Sequence, residues 1–452
     1  MSSLTIDRKM GRVATDDRAL DSTIVLLSIV ALSLLTALSK FGLFGMTGDV
    51  ESGSLAGQII WGTTYGVAAW RLFVFRKDAL VVAKRSLPLV AFMAMILASS
   101  GWSVDPAITL KNAVEMIGTT LLSYYIVTRF ALPEFLAILV RYFVSVSIVS
   151  IVLVFLWPSH GRSTGGVVGW SGLWAEKNGF GAAMGLALIT YVISFVLARE
   201  KRRLLLLLAL LLSGVLFVGS QSTTAAVVLS VTGVIVGILT MSASPLYGLA
   251  ARLISAIVAL GLATYVLATG LDSATFFDSV GKSSTLTGRS GFWPGILRAI
   301  GDRPIFGFGY NAFFFTQSTQ QEYIAGLTGW WIPMSAHNSY YQMILSVGFV
   351  GLAIYALAII PAFVACLVSV IRDREMTAAW ALAIMLFSLL GSFTEVYVGI
   401  PNAIGSICFT SALLFALKGF KPKTEPVAPD ALWRKRSEIV AIRPSSIDLL
   451  QA

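Results

Sequence analysis

The sequence predicts an all-α polytopic membrane protein of about twelve transmembrane helices, with one large loop that contains short helices. Of its 452 residues, 56% are hydrophobic and only 12% are charged, about half the charged share of a soluble domain. Apolar runs of about 20 residues can cross a bilayer core of roughly 30 Å. Such runs lie near 22–39, 55–75, 87–100, 108–127, 134–157, 178–198, 203–219, 222–241, 250–270, 338–371, 376–394 and 400–417.

The distribution of basic residues gives these runs a direction. Lys and Arg concentrate in cytoplasmic loops, and threading the runs alternately from an inside N-terminus puts 24 of the 33 basic residues on cytoplasmic segments. This predicts cytoplasmic tails at 1–21 and 418–452, the second disordered, around a bundle over 22–417. Because topology accounts for the net charge of +10, no nucleic-acid partner is expected.

Two substantial loops then lie on the outer side, at about 158–177 and 271–337. Loops this long inside a compact architecture are usually functional or disordered. The loop at 271–337 is rich in Phe, Tyr and Trp, residues that favour the membrane interface or pack against the bundle. We therefore expect most of the chemistry in this loop.

Both histidines of the chain, His160 and His337, fall on the outer side. Histidine suits proton transfer near neutral pH, although a single histidine is more often a structural hydrogen bonder. His337 stands out because it begins a run of some 35 residues, roughly 50 Å as a helix. This length predicts either a kink at Pro361 or first turns that stand above the membrane.

A second candidate feature is the stretch 286–294, which contains Arg289 and Pro294. Pro294 is predicted as the first helical residue, with Ser290 as a cap, so Arg289 would lie beside a helix N-terminus. A guanidinium and free backbone N–H groups both suit phosphate oxygens. The alternative for Arg289 is an ordinary arginine facing lipid headgroups.

Smaller features lie at other outer helix ends. Lys177 and Asn178 could donate hydrogen bonds to an anion. Gly181 in the same stretch is as well explained by close helix packing as by a role in a site. The hydroxyls of the turn 220–224 either bind a ligand or only cap helices. Glu395 is the best spare carboxylate on this side, and Lys111 and Glu115 are expected to pair at i, i+4 spacing. No metal site and no cofactor are expected from the spacing of His, Cys and carboxylate residues.

Together these residues resemble the O-antigen ligase-like family of O-antigen ligases, O-antigen polymerases and exopolysaccharide polymerases. Its characteristic stretch has a Gly-Arg, an aromatic helix, a Pro followed by a Gly-x-Gly turn, and a His-Asn pair leading into Gly-x-x-Gly. Here these are Gly288-Arg289, Phe292-Trp293, Pro304, Gly307-Phe308-Gly309, His337-Asn338-Ser339-Tyr340 and Gly348-Phe349-Val350-Gly351, with Glu176-Lys177-Asn178 and Gly181 upstream. The chain departs at Thr223, where many members carry a basic residue; Lys177 or Arg162 could substitute for that charge.

The resemblance implies a metal-independent, GT-C-like glycosyltransferase of the bacterial inner membrane, specifically an exopolysaccharide polymerase. Its donor would be an oligosaccharide on undecaprenyl diphosphate and its acceptor another glycan, on the periplasmic side. It implies His337 as the base that activates the acceptor hydroxyl and Arg289 as the group that binds the diphosphate. The predicted substrate-binding residues are Lys177, Asn178, Asn338, Arg162, Trp293 and Tyr340.

Two alternatives stand beside this prediction. An O-antigen ligase that transfers glycan to lipid A core would use the same chemistry with a different acceptor. A polysaccharide or small-molecule transporter should instead show repeat symmetry and paired intramembrane charges, and the sequence shows few of these. A polymerase would be expected to work beside membrane lipid, a flippase and a chain-length regulator.

Overall fold

The computed structural model describes residues 17–31, 33, 35, 55–163, 169–240, 289–315, 319–328 and 333–420. In these residues the regular structure is helical, and an isolated bridge pairs Arg162 with Trp170. The helices are α1 (17–31), α2 (Leu55–Val74), α3 (Arg76–Arg85), α4 (Leu87–Ala98), α5 (Pro106–Arg129), α6 (Leu132–Leu156), α7 (Pro158–Gly161), α8 (Lys177–Leu197), α9 (Glu200–Ser220), α10 (Thr223–Thr240), α11 (Arg289–Asp302), α12 (Thr319–Leu327), α13 (Ser339–Ile371), α14 (Met376–Gly391) and α15 (Ile404–Lys418). Single 3₁₀ turns lie at Ser99–Gly101 and Phe313–Phe315.

Several of these helices can cross a membrane. Among the described residues, α6, α8, α9, α10 and α13 are long and apolar enough, and α3 with α4 makes a sixth candidate bent by 89°. The chain is thus an all-α, multi-pass membrane protein. Helices occupy eleven of the twelve predicted runs, the run at 250–270 lies outside the described residues, and the total of twelve spans stays a prediction.

One end of the bundle is held together by a buried carboxylate. Asp21 of α1 is fully buried and pairs with Arg71, at the end of α2, and with Arg129, at the end of α5, whose Nε lies 2.7 Å from Asp21 Oδ2. The Tyr125 hydroxyl donates to Asp21 Oδ1 at 2.6 Å. We call this the Asp21 end. Its contacts require α1 to run antiparallel to α2 and α5.

Helix α14 forms the centre of the bundle. It packs against α8, α10, α13 and α15, and its Trp380 is fully buried. The indole N–H of Trp380 donates to Thr190 Oγ1 on α8 at 3.1 Å, so the largest buried side chain also has its one polar group satisfied. This packing holds the start of α8 beside the end of α14.

Helix α13 is broken at Gly348, which has φ 67° and ψ −173°. In an unbroken helix Leu345 O and Ser346 O would accept from the N–H groups of the residues four positions later. Here they accept instead from Phe308 N at 2.7 Å and from Gly309 N at 3.0 Å. The loop segment therefore replaces helical bonds that the break removes.

The backbone N–H groups that follow the break also find acceptors in this loop segment. Phe349 N donates to Pro304 O at 2.8 Å and Val350 N donates to Ile305 O at 3.2 Å. Irregular backbone at membrane depth is tolerated where protein groups satisfy it. We call the segment 304–309 the insert. It also meets the loop between α4 and α5, where Val104 N donates to Phe308 O at 2.9 Å.

The break explains the length of the predicted 35-residue run. The part of α13 from Phe349 to Ile371 is about 35 Å long as a helix, enough for one crossing. The nine residues before Gly348 form a separate short helical segment beside the insert. The prediction of a kink at Pro361 located the irregularity in the wrong half of the run, because Pro361 lies inside the continuous part of α13.

Candidate functional site

The centre of the candidate site is a pair formed by His337 and Glu395. His337 Nδ1 lies 3.1 Å from Glu395 Oε2. The carboxylate is buried, with 5% of the residue exposed, whereas 27% of the histidine side chain is exposed. Because a carboxylate only accepts, the pairing assigns the proton to Nδ1. The other ring nitrogen, Nε2, then carries the lone pair that can take a proton from a hydroxyl.

A second contact holds Glu395 from the opposite side. Asn178 Nδ2 donates to Glu395 Oε1 at 3.0 Å, and Asn178 Oδ1 accepts from Ser222 Oγ at 3.2 Å. Ser222 Oγ in turn accepts from Ala225 N at 3.4 Å, in the first turn of α10. The hydroxyl therefore both caps a helix and joins a row that runs from Ser222 through Asn178 and Glu395 to His337.

Four separate segments contribute to this row. They are the start of α8, the turn between α9 and α10, the segment after α14, and the junction that precedes α13. We call this the His337 end of the bundle. The Asp21 end holds the start of α1 and the ends of α2 and α5, so the two ends are built from different helix termini.

The residues after His337 fasten the junction to the segment that carries Glu395. Asn338 caps α13, since its Oδ1 accepts from Tyr340 N at 2.9 Å and Tyr341 N at 3.1 Å, while its Nδ2 donates to Phe393 O at 3.0 Å. Ser339 Oγ accepts from Tyr397 N at 2.9 Å. These bonds fix His337, whose φ of 45° is uncommon for a residue other than glycine.

Two aromatic residues that the sequence assigns to substrate binding have their polar atoms bonded within the protein. Trp293 Nε1 donates to Ala336 O at 3.1 Å, and the Tyr340 hydroxyl donates to Leu389 O at 2.9 Å. Trp293 thus ties α11 to the residue before His337, and Tyr340 ties α13 to the end of α14. Their ring faces remain predicted sugar or lipid contacts.

Helix α11 brings Arg289 towards His337. The ring of Phe292 lies with its centroid 6.2 Å from that of His337. Arg289 is the first residue of α11 and lies three positions before Phe292, on the same helix face. The side chain of Arg289 is outside the described part of the chain.

The predicted start of this helix was wrong by five residues, because α11 begins at Arg289 and contains Pro294. Pro294 is the sixth residue of α11, where its ring nitrogen cannot make the helical bond to the Ser290 carbonyl. Arg289 therefore lies at the helix N-terminus itself rather than beside a cap.

Gly181 lies against the turn at 220–222, and Gly169 lies between Ser220 and Lys177. A Cβ on Gly181 would come within 2.6 Å of Ser222 Cβ, and a Cβ on Gly169 would come within 2.8 Å of Lys177 Cδ. The packing interpretation of Gly181 is therefore confirmed, since its missing side chain lets the turn approach Asn178. Lys177 lies at the N-terminus of α8, next to Asn178.

His160 lies in α7 and Arg162 follows it, next to the residues of the candidate site rather than among them. Arg162 is exposed and its Nε donates to Val154 O at 3.3 Å, while His160 Nδ1 lies 2.9 Å from Ser159 Oγ. The loop that carries Arg162 is bonded to the turn before Ser220, because Trp170 N donates to Gly219 O at 2.8 Å. Arg162 thus shares the His337 end, although its described bond is to α6.

Glu395 lies outside the set of site residues that the sequence predicts. Its position after α14 and on the outer side marked it as a spare carboxylate, but its partner is 58 residues earlier in the chain. Tyr310 was also missed as a fixed point: burial, the Tyr355 hydroxyl and the Glu115 carboxylate raise its pKa. It therefore stays protonated and donates to Gly399 O at 2.8 Å.

Comparison with known proteins relates this geometry to a family. Residues 206–356 match the family model described as O-Antigen ligase. The chain is also 24% identical over 335 residues to the exopolysaccharide production protein ExoQ of Rhizobium meliloti (strain 1021), a match that covers 69% of this chain and 73% of ExoQ. The family match spans the turn at 220–222, α11, the insert, His337 and the break in α13. Over these residues the chain is similar to the O-antigen ligase family, and over 335 residues it is similar to an exopolysaccharide production protein.

Proposed function

We propose that this protein is a bacterial exopolysaccharide polymerase. It transfers oligosaccharide repeat units from undecaprenyl diphosphate onto a glycan acceptor at the periplasmic face of the inner membrane. The observation that carries the proposal is the His337–Glu395 pair, whose 3.1 Å contact uses Nδ1 and leaves Nε2 as the nitrogen that can act as a base. The similarity to an exopolysaccharide production protein supports the choice of polymer.

The reaction follows from this geometry. An acceptor hydroxyl loses its proton to His337 Nε2 while its oxygen attacks the anomeric carbon of the donor sugar. The bond between that carbon and the diphosphate oxygen breaks, and the electron pair leaves with the lipid diphosphate. Glu395 stabilises the imidazolium that forms, and the proton is later released to water.

The leaving diphosphate requires positive charge near the donor. Arg289 at the N-terminus of α11 supplies a guanidinium beside the positive end of the helix dipole. Lys177 at the N-terminus of α8 offers a second cation next to Asn178. We propose that Lys177 supplies the charge that many relatives carry at the position of Thr223.

The first experiment replaces His337 by Ala and, separately, Arg289 by Ala, and measures polymer length in cells at matched protein levels. Both variants should make no polymer or only short products, since each removes one half of the proposed chemistry. Full-length polymer from both would overturn the catalytic assignment. Trp70→Ala, an exposed position near the Asp21 end, is the control and should behave as the wild type.

An O-antigen ligase is the second candidate, favoured by the description of the matching family model. Polymerase and ligase differ in the product that accumulates when the protein is deleted. Accumulated single lipid-linked repeat units support the polymerase. Accumulated long lipid-linked chains would instead assign the ligase reaction.

A further inference from the structure

A second polar cluster lies between α2, α5 and the start of α15. Glu115 Oε1 is 4.0 Å from Lys111 Nζ on α5, and its side chain is only 15% exposed. Asn402 Oδ1 accepts from the Tyr65 hydroxyl and, at 3.1 Å, from Thr119 Oγ1.

Glu115 belongs to the same cluster as Tyr65 and Asn402. Its carboxylate acts electrostatically on the Tyr65 hydroxyl, to which Asn402 is bonded. Thr119, four residues further along α5, donates to Asn402 and accepts from Asn402 N at 2.9 Å.

Aromatic rings line the α2 side of this cluster. The rings of Trp61 and Tyr65 are stacked with centroids 6.3 Å apart. Both residues lie on the face of α2 that also carries the buried Thr64 and Ala68, and so face the bundle rather than lipid. The ring of Tyr65 lies against Gly118 of α5, where a Cβ would collide with it. Trp61 is partly exposed at the edge of the cluster.

A row of amides connects this cluster with His337. Asn112, next to Lys111 on α5, donates from Nδ2 to Asn311 O at 3.3 Å. Gln342 Nε2 donates to Asn311 Oδ1 at 3.0 Å, and Ala336 N donates to Gln342 Oε1 at 2.9 Å. Ala336 is the residue before His337.

The segment after α14 makes a second connection. It carries Glu395 at one end and Asn402 at the other, seven residues apart, which is at most about 25 Å of extended chain. The two clusters therefore lie at one end of the bundle, within reach of one extended oligosaccharide.

We propose that the cluster of Trp61, Tyr65, Lys111, Glu115 and Asn402 is a second glycan-binding subsite, which holds sugar residues of the acceptor glycan away from the reacting hydroxyl. Sugars present apolar faces that stack on indole rings and hydroxyls that bond to carboxylates and amides, and this cluster offers all three groups. The inference rests on the proposed polymerase function. It adds that the acceptor chain is bound at two places.

The test measures binding separately from catalysis. Full-length protein in nanodiscs is titrated calorimetrically with oligosaccharide fragments, which are prepared by mild acid hydrolysis of the polysaccharide that the host cells make. Glu115→Gln and Trp61→Ala should each bind the fragments about tenfold more weakly, as expected for the loss of one polar contact or one stacked ring. Trp61→Phe retains a ring and should recover most of the affinity.

Two further variants make the result specific. Trp70→Ala on the same helix, at the Asp21 end, should bind as the wild type does. His337→Ala should also bind the fragments, although it makes no polymer. In cells, Glu115→Gln should give shorter polymer than the wild type rather than none, because only retention of the chain is weakened.

Each outcome decides the proposal. Wild-type affinity in both Glu115→Gln and Trp61→Ala, or no binding to the wild type, overturns the subsite. Full-length polymer from both His337→Ala and Arg289→Ala would overturn the proposed catalytic site instead, and the binding titration would not depend on that result. The two failures are therefore distinguishable.

Discussion

At the scale of residues, the site depends on a carboxylate that does not touch the substrate in the proposed reaction. Glu395 is buried and bonded to Asn178 on one side and to His337 on the other. A buried carboxylate with two partners is held in one orientation, and it holds the imidazole in one tautomer. Glu395 is thus a positioning residue for His337.

The first prediction concerns the charge of Glu395. Glu395→Gln keeps an oxygen that can accept from Nδ1 but removes the charge that stabilises the imidazolium. We expect polymer synthesis in isolated membranes to be at least about tenfold slower, with unchanged protein levels. Glu395→Ala should be slower still, because it also frees the ring to rotate.

The comparison of these two variants is the control. If Glu395 acted only through its shape, Glu395→Gln would retain full activity, because Gln preserves that shape even though its single oxygen can accept only one of the two bonds. Wild-type rates in Glu395→Gln would therefore contradict the electrostatic part of the mechanism.

His337 and Asn178 could be predicted from sequence because their types are informative at helix starts on the outer side. Glu395 could be identified only as an unassigned carboxylate, since its pairing joins residues far apart in the chain. The bonds of Trp293 and Tyr340 to backbone carbonyls could not be predicted either. An aromatic residue near a membrane interface fits many partners, and only the fold selects one.

At the scale of elements, the insert and the break in α13 form one structural unit. The backbone groups on both sides of Gly348 bond to residues 304–309, so the long loop is built into a membrane helix. The sequence showed the Pro, Gly-x-Gly and Gly-x-x-Gly elements as separate motifs. It could not show that they bond to each other, because their registration depends on chain segments about 40 residues apart.

The second prediction concerns Gly348. Its backbone conformation is essentially restricted to glycine, and a Cβ there would collide with the Ile305 carbonyl. Gly348→Ala should destabilise the protein by about 3 kcal/mol or more, measured as lower thermal stability in detergent. The loop should also become more sensitive to protease.

Gly214→Ala in α9 is the matched control, since a Cβ at Gly214 meets no atom within 4 Å. This change should leave the stability unchanged or raise it slightly, because alanine favours helix over glycine. Equal thermal stability of Gly348→Ala and Gly214→Ala would contradict the role of the break.

At the scale of the whole molecule, the two ends of the bundle have different tasks. The Asp21 end contains a buried ion-pair cluster that joins α1, α2 and α5. The His337 end contains the candidate chemistry. Stability and activity should therefore respond separately to changes at the two ends.

The third prediction tests this separation with Asp21→Asn. Removing one partner of a buried ion pair leaves charge uncompensated and costs about 3 kcal/mol, here for Arg71 and Arg129 together. We expect a lower melting temperature but normal activity for each molecule that remains folded. Asp17→Asn, an exposed change on the same helix, should alter neither. Lost activity in folded Asp21→Asn protein would contradict the separation of tasks.

The fourth prediction concerns which end faces the periplasm. The basic residues predict a cytoplasmic Asp21 end, and lipid-linked donors require the His337 end outside. Cys366 and Cys408 are both buried, so they should react little with a thiol reagent. Replacing both removes the remaining background for single introduced cysteines. In spheroplasts, a membrane-impermeant maleimide should label Thr319→Cys on α12 but not Lys201→Cys at the start of α9. Both positions are exposed, and lysis should make Lys201→Cys reactive.

The reverse labelling pattern would put His337 on the cytoplasmic side. It would exclude a periplasmic polymerase whatever the activity of the site variants, because the orientation decides which pool of lipid-linked sugar the site can reach.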